Sequence, residues 1–342
     1  MKIDIFNHFF PKRFWDDFID VGTDLSGMGK RVQNISTIAD LDNRFRTMDE
    51  FGGYCQIISL PGPPVEILAG PDKSPTMAKI ANDGFAELVA KHPARFPSFV
   101  ACLPMNNPDA ALKEMDRAIN QLGAVGVQMY SNAANKPLDG PEFRQLFEFS
   151  AKAETPIWLH PDRHADFADY MTEDTSQYEI FWTFGWPYET SVAMARMVFS
   201  GFFDRWPNLK VITHHMGAMI PYFTGRVGYG WDQLGSRTSD KDYAGLLKSM
   251  KKRPIDYFHN FYADTALFGA KAGTVCGLDF FGVDHVLFAS DAPFEPTPGL
   301  YTRETIGVLE SLDLTADEKD RIYRRNAEKL LNLAARGVKV SG

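Results

Sequence analysis

Eight short apolar runs punctuate this chain, and stretches with helical spacing separate them. The runs are residues 2–6 (KIDIF), 54–60 (YCQIISL), 97–103 (PSFVACL), 124–130 (AVGVQMY), 156–160 (PIWLH), 209–214 (LKVITH), 260–264 (NFYAD) and 284–290 (DHVLFAS). Strands that alternate with helices build a parallel sheet. Eight such units in 342 residues predict a (β/α)8 barrel, with residues 1–342 as one domain. A doubly wound sheet is the alternative architecture, but no GxGxxG follows the first run.

The intervening stretches carry helix signals. In 108–122, Leu112, Met115, Ile119 and Leu122 fall at helical spacing; Pro108 and Asp109 open the stretch and Gly123 closes it. Similar patterns cover 77–92 and 189–206. Residues 315–337 read as a C-terminal helix, opened by the capping-box pair Thr315 and Glu318. Two segments exceed a minimal barrel. Residues 10–40 follow strand 1 and residues 161–187 follow strand 5, so both are expected as lids over the active-site face.

Composition excludes several classes of partner. The net charge is −8 and the pI is near 5.5. Neither nucleic acid nor an anionic membrane is expected as a partner. No run approaches the ~18 apolar residues of a membrane span, and the N-terminus has no signal-peptide pattern. Three cysteines, Cys55, Cys102 and Cys276, lack any CxxC spacing. That odd, sparse count fits free thiols and a cytoplasmic location.

Chemistry in a barrel sits at the C-terminal ends of the strands. Strand 1 ends at His8, strand 5 at His160, strand 6 at His214-His215, and strand 8 at Asp291. Imidazole and carboxylate together suit Zn2+, Mn2+ or Fe2+. Phe6 stands two residues before His8 and faces the same way if the strand is regular.

Longer stretches carry a family likeness: RFRTMDEFG (44–52), residues 103–129, residues 185–217 with DRWPNLKVITHHMG, HVLFASDAPF (285–294) and NAEKLLNL (326–333). Together they make the chain resemble the amidohydrolase superfamily, in its branch of metal-dependent decarboxylases. The resemblance implies His8, His160 and Asp291 as metal ligands, with Zn2+ first and Mn2+ or Fe2+ as alternatives. It implies Asp291 and His215 as catalytic groups. Arg44 corresponds to a carboxylate-binding arginine. The strand-1 element normally supplies two ligands, and here Phe6 replaces the first. Strand 4 ends without the lysine of binuclear members, so one metal is expected. A homodimer is also implied.

Other residues complete the expected site. Phe6 and Trp186 are expected to wall a substrate pocket, with Trp182 and Phe184 near it, and Arg226 to approach it. Glu189 is expected either to orient His215 or to start a helix. Asp264 either hydrogen-bonds a ligand residue or caps a turn. Strand alternation predicts that His214 points away from His215. His164 falls in the second lid. Three functions fit these residues: a metal-dependent decarboxylase of a small aromatic or unsaturated carboxylate, a metal-dependent hydrolase of a small ester, lactone or amide, and a non-catalytic barrel that serves as a binding or partner subunit.

Overall fold

In the computed structural model, which describes residues 1–21, 28–237 and 240–340, eight strands form one sheet in sequential order. They are β1 (Lys2–His8), β2 (Tyr54–Ser59), β3 (Ser98–Cys102), β4 (Gly126–Tyr130), β5 (Ile157–His160), β6 (Val211–Thr213), β7 (Tyr262–Asp264) and β8 (Val286–Leu287). Every recorded pairing along this sheet is parallel. Backbone bonds close the barrel: Ile5 N donates to Phe288 O at 3.0 Å, Asp291 N to Phe6 O at 2.9 Å and His8 N to Ala292 O at 2.8 Å. A two-stranded antiparallel ribbon, Asn132–Ala133 with Lys136–Pro137, is the one addition among the described strands.

The expected strands are all present, but several are shorter. The run 209–214 keeps its ladder only at Val211–Thr213, so both histidines lie just beyond it. The run 284–290 pairs only at Val286–Leu287. After Leu287 the ladder ends and the chain bonds other partners, including Phe288 N to Ile322 O at 2.9 Å. The stretch 108–122 forms a helix over Pro108–Asn120, capped by the Asn107 side chain. The stretch 189–206 becomes two helices, Gly185–Phe199 and Phe202–Arg205, because Gly201 takes a left-handed conformation at φ 74°. The capping box at Thr315 forms, but the helix beyond it is interrupted by a π turn at Arg321–Arg325.

Two cores result. Ile3, Ile5, Phe6, Val100, Trp158, Ile212 and Leu287 belong to a cluster inside the barrel, and a larger cluster lies between sheet and helices. Ile5 and Phe6 are adjacent yet share the inner cluster. Strict alternation forbids that. The register of β1 against β2 slips between Asp4 and Asn7, which is a β-bulge. The extra residue re-aims Phe6 and His8 together into the barrel mouth. Deeper down, Gly126 leaves room for Trp158, since a Cβ there would lie 2.2 Å from the indole. Trp158 in turn donates to Ile5 O at 2.8 Å and pins β5 to β1.

Candidate metal centre and active-site pocket

The strand ends bring His8, His160, His214 and Asp291 into one buried group. One nitrogen from each of His8, His160 and His214 lies within 4.8 Å of the others. The same holds for one donor atom each from His214, His215 and Asp291. His8 Nε2 is 3.1 Å from Asp291 Oδ1. Phe6 packs against all three rings. Its centroid is 5.7 Å from His8, 5.8 Å from His160 and 3.8 Å from His214.

His214 corrects the expectation from alternation. The strand ends at Thr213, and His215 takes φ 54°, with Met216 at 55°. This left-handed turn brings both rings to the same side, with centroids 3.8 Å apart. His214 Nδ1 is 2.6 Å from Asp264 Oδ2, while Asp264 Oδ1 accepts from His215 N at 3.1 Å and from Ala266 N at 3.0 Å. Asp264 therefore both orients a site histidine and caps the following turn. Asp291 is also left-handed, at φ 62°. Strained backbone at His215 and Asp291 is of the kind that clusters at functional sites.

Each histidine of the first group has its outer nitrogen anchored. His8 Nδ1 is 3.2 Å from Ser59 Oγ, and His160 Nδ1 is 2.7 Å from Pro161 O. His214 Nδ1 meets Asp264. Anchoring one ring nitrogen turns the other toward a shared centre, the usual support for metal-binding imidazole. His214 Nε2 is buried without a hydrogen-bond partner, although Asp291 Oδ1 lies 3.2 Å away. This orphaned donor and the mixed imidazole–carboxylate set fit a divalent ion.

Charge states follow from burial and neighbours. Burial lowers the pKa of His160 well below the usual range, and His8 and His214 add to the effect. Burial also lowers those of His8 and His215. Burial opposes a charge on His214 too, but Asp264 and Asp291 outweigh it and lift the ring to about 9. Burial would raise Asp291; the charge of His214, then close contacts with His214, His215 and His8, hold it well below the carboxylate range. Beneath the site, Asp4 accepts hydrogen bonds from Tyr54 and Ser290 and ties β1 to β2 and to the chain after β8. Burial raises that carboxyl to about 6.

A cavity of about 210 Å3 opens over this centre. Asp291 and His215 line it, with Trp182, Trp186, Phe268, Phe294 and Tyr301 as aromatic walls. Trp186 was expected here, and its Nε1 is buried without a partner. Trp182 and Trp186 come from the insertion after β5 and the helix that follows it. Arg31, from the insertion after β1, is the lining guanidinium among the described residues. Its group lies 4.4 Å from the Trp182 ring centroid and pairs with Glu179 at 3.1 Å. Sequence reasoning missed Arg31. Its only signal was a basic residue in an insertion bound for the active-site face. Residues 22–27 of that insertion lie outside the described residues.

Other expected residues sit elsewhere. Arg44 is 3% exposed and donates to His8 O and, at 3.1 Å, to Gln56 Oε1. It lines a separate small cavity with Met48, Gln56 and Thr302, behind β1. Arg226 is exposed and 5.9 Å from the Phe223 ring, away from the pocket lining. Phe6 belongs to the buried centre and not to the cavity wall. Phe184 is exposed. Glu189 pairs with Arg163 at 2.8 Å, so His215 is oriented through its backbone by Asp264 instead. His164 lies 3.7 Å from Asp162 and outside the pocket lining.

Residues 58–333 match the amidohydrolase family, and the chain belongs to it. Among relatives, the gamma-resorcylate decarboxylase of Polaromonas sp. is 32% identical over 301 residues, covering 85% of this chain and 87% of its own. The 2-amino-3-carboxymuconate-6-semialdehyde decarboxylase of Dictyostelium discoideum is 26% identical and covers 97% of this chain and 92% of its own. Among solved structures, the dihydroxybenzoic acid decarboxylase of Polaromonas sp., with bound manganese and 2-nitroresorcinol, superposes with a TM-score of 0.78. It is 28% identical and covers 97% of each chain.

Proposed function

We propose that this chain is a metal-dependent, non-oxidative decarboxylase of a small aromatic carboxylate. The observation that carries this reading is the cavity: aromatic walls, one guanidinium, and Asp291 with His215 on its lining. Its volume of about 210 Å3 exceeds the ~150 Å3 of a cavity that binds benzene, and so suits one substituted ring. Trp182, Trp186 and Phe294 hold the ring, and Arg31 pairs with an anionic substituent.

Decarboxylation needs a proton on the ring carbon that bears the carboxylate. The bond to the carboxylate carbon then breaks, its electron pair stays with the ring, and CO2 leaves. In this reading Asp291 and His215, 3.5 Å apart on the cavity lining, relay that proton to the ring. His8, His160 and Asp291 hold one divalent ion in this reading. Bound there, the ion supplies positive charge against the negative charge that develops in the transition state. Nitrogen-rich ligation favours Zn2+, and the manganese of the solved relative makes Mn2+ the competing ion.

We also propose a homodimer. Tyr170, Met171, Tyr178 and Phe184 are large apolar side chains exposed on the insertion after β5, where a second copy could cover them. A cytoplasmic location accords with the three free cysteines. No helix among the described residues is long and apolar enough to cross a membrane.

The test is CO2 release from a panel of hydroxybenzoates, including 2,6-dihydroxybenzoate, by protein loaded in turn with Zn2+ and Mn2+. Release that stops on chelation and returns with the ion is expected. A panel without CO2 release, together with turnover of an ester or lactone, would replace this reading with the hydrolase.

A further inference from the structure

We infer that His214 is itself a ligand of the metal and completes a site to which β1 contributes only His8. The inference rests on the reading that this centre holds a divalent ion. Four observations carry it. His214 is the residue common to both groups of donor atoms, the one with His8 and His160 and the one with His215 and Asp291. Its Nδ1 is fixed by Asp264 at 2.6 Å, which aims Nε2 inward. That Nε2 is buried and makes no well-aligned hydrogen bond, although Asp291 Oδ1 lies 3.2 Å away. Finally, the Phe6 ring lies against the imidazole, with planes 13° apart, and fixes its orientation.

The chemistry is coherent. Phenylalanine donates no electron pair, so the position two residues before His8 cannot bind an ion. An imidazole held against that ring by Asp264 can. The three histidine nitrogens stand within 4.8 Å of one another. Around a tetrahedral zinc ion such nitrogens are about 3.4 Å apart, given bonds of about 2.1 Å. Small rotations of buried rings close that difference. With Asp291 Oδ1 3.1 Å from His8 Nε2 and 3.2 Å from His214 Nε2, the set becomes three imidazoles and one carboxylate.

X-ray absorption at the zinc edge of the wild-type protein loaded with Zn2+ counts bound imidazoles without any substitution. Three are expected, and two would overturn the inference. Chelator competition for Zn2+ adds a second reading. His214→Ala should weaken affinity on the order of a hundredfold or more, as His160→Ala should. Phe6→Glu in the His214→Ala background should regain much of that loss by returning a ligand to β1. His214→Ala that binds Zn2+ as tightly as wild type, while His160→Ala does not, would overturn the role of His214 alone. Wild-type protein that takes up neither Zn2+ nor Mn2+ would instead overturn the metal-dependent function on which it rests.

Discussion

The Phe6 ring stacks on the His214 imidazole, with centroids 3.8 Å apart and planes 13° from parallel. Two positions that would each be unusual alone therefore explain one another. An apolar side chain at the end of β1 has a flat partner to cover, and a histidine beyond β6 has a surface that holds its ring. Phe6 is fully buried within the barrel cluster. Phe6→Ala should cost about 3–5 kcal/mol of stability, the range for emptying a buried phenylalanine site. Denaturant unfolding measures the loss, and a cost below about 1 kcal/mol would show that the stack is not a packed contact.

Two arginines near the site should separate in kinetics. Arg31 lines the cavity. Arg31→Gln should raise KM for a hydroxybenzoate about 10- to 100-fold, in keeping with the ~1.5–3 kcal/mol of a hydrogen bond to a charged group. Steady-state assays at saturating metal read this directly.

Arg44 should behave the opposite way, because its guanidinium bonds His8 O and Gln56 behind β1. Arg44→Lys keeps the charge but loses the planar fork, so it should lower stability by about 2–4 kcal/mol. KM should stay within about twofold of wild type. A KM that rises with Arg44→Lys and not with Arg31→Gln would exchange their roles.

Glu66 gives a pH signature away from the metal centre. Its carboxyl is buried, with Oε1 unpartnered, and burial pushes it up to about 8. Between its ordinary value near 4.5 and 8, the folded chain keeps a proton that the unfolded chain releases. Stability should therefore fall as pH rises through that window, by at most about 1.4 kcal/mol per pH unit. Glu66→Gln should flatten this slope. Unfolding midpoints at pH 5, 6, 7 and 8 for both proteins test it.

Removing the ion should destabilise the fold as well as stop turnover. An ion present at ~100 times its Kd adds about 2.7 kcal/mol to the folded state. Chelation should lower Tm by several degrees, and either Zn2+ or Mn2+ should restore it. Scanning calorimetry with and without chelator makes the comparison.

The barrel was legible because strand and helix periods differ and all eight runs carried the strand signal. The convergence of His8, His160 and Asp291 was legible because barrel chemistry gathers at strand ends. The orientation of His214 was not. Alternation holds only while the ladder continues, and here it ends at Thr213, before His215 turns left-handed. The bulge in β1 was equally hidden, since IDIF reads as a regular strand until the register with β2 is known.

What the amino-acid order determined by itself was the number of βα units, the side chains at their ends and the family to which they belong. These follow from local periodicity and short motifs. Tertiary structure alone decided which arginine reaches the cavity and which histidines converge. Arg31, from the insertion after β1, meets Trp182, which is distant in the chain. Arg44, although it matched a motif, spends its guanidinium on the backbone of His8. Both outcomes depend on long-range packing, which sequence spacing does not encode.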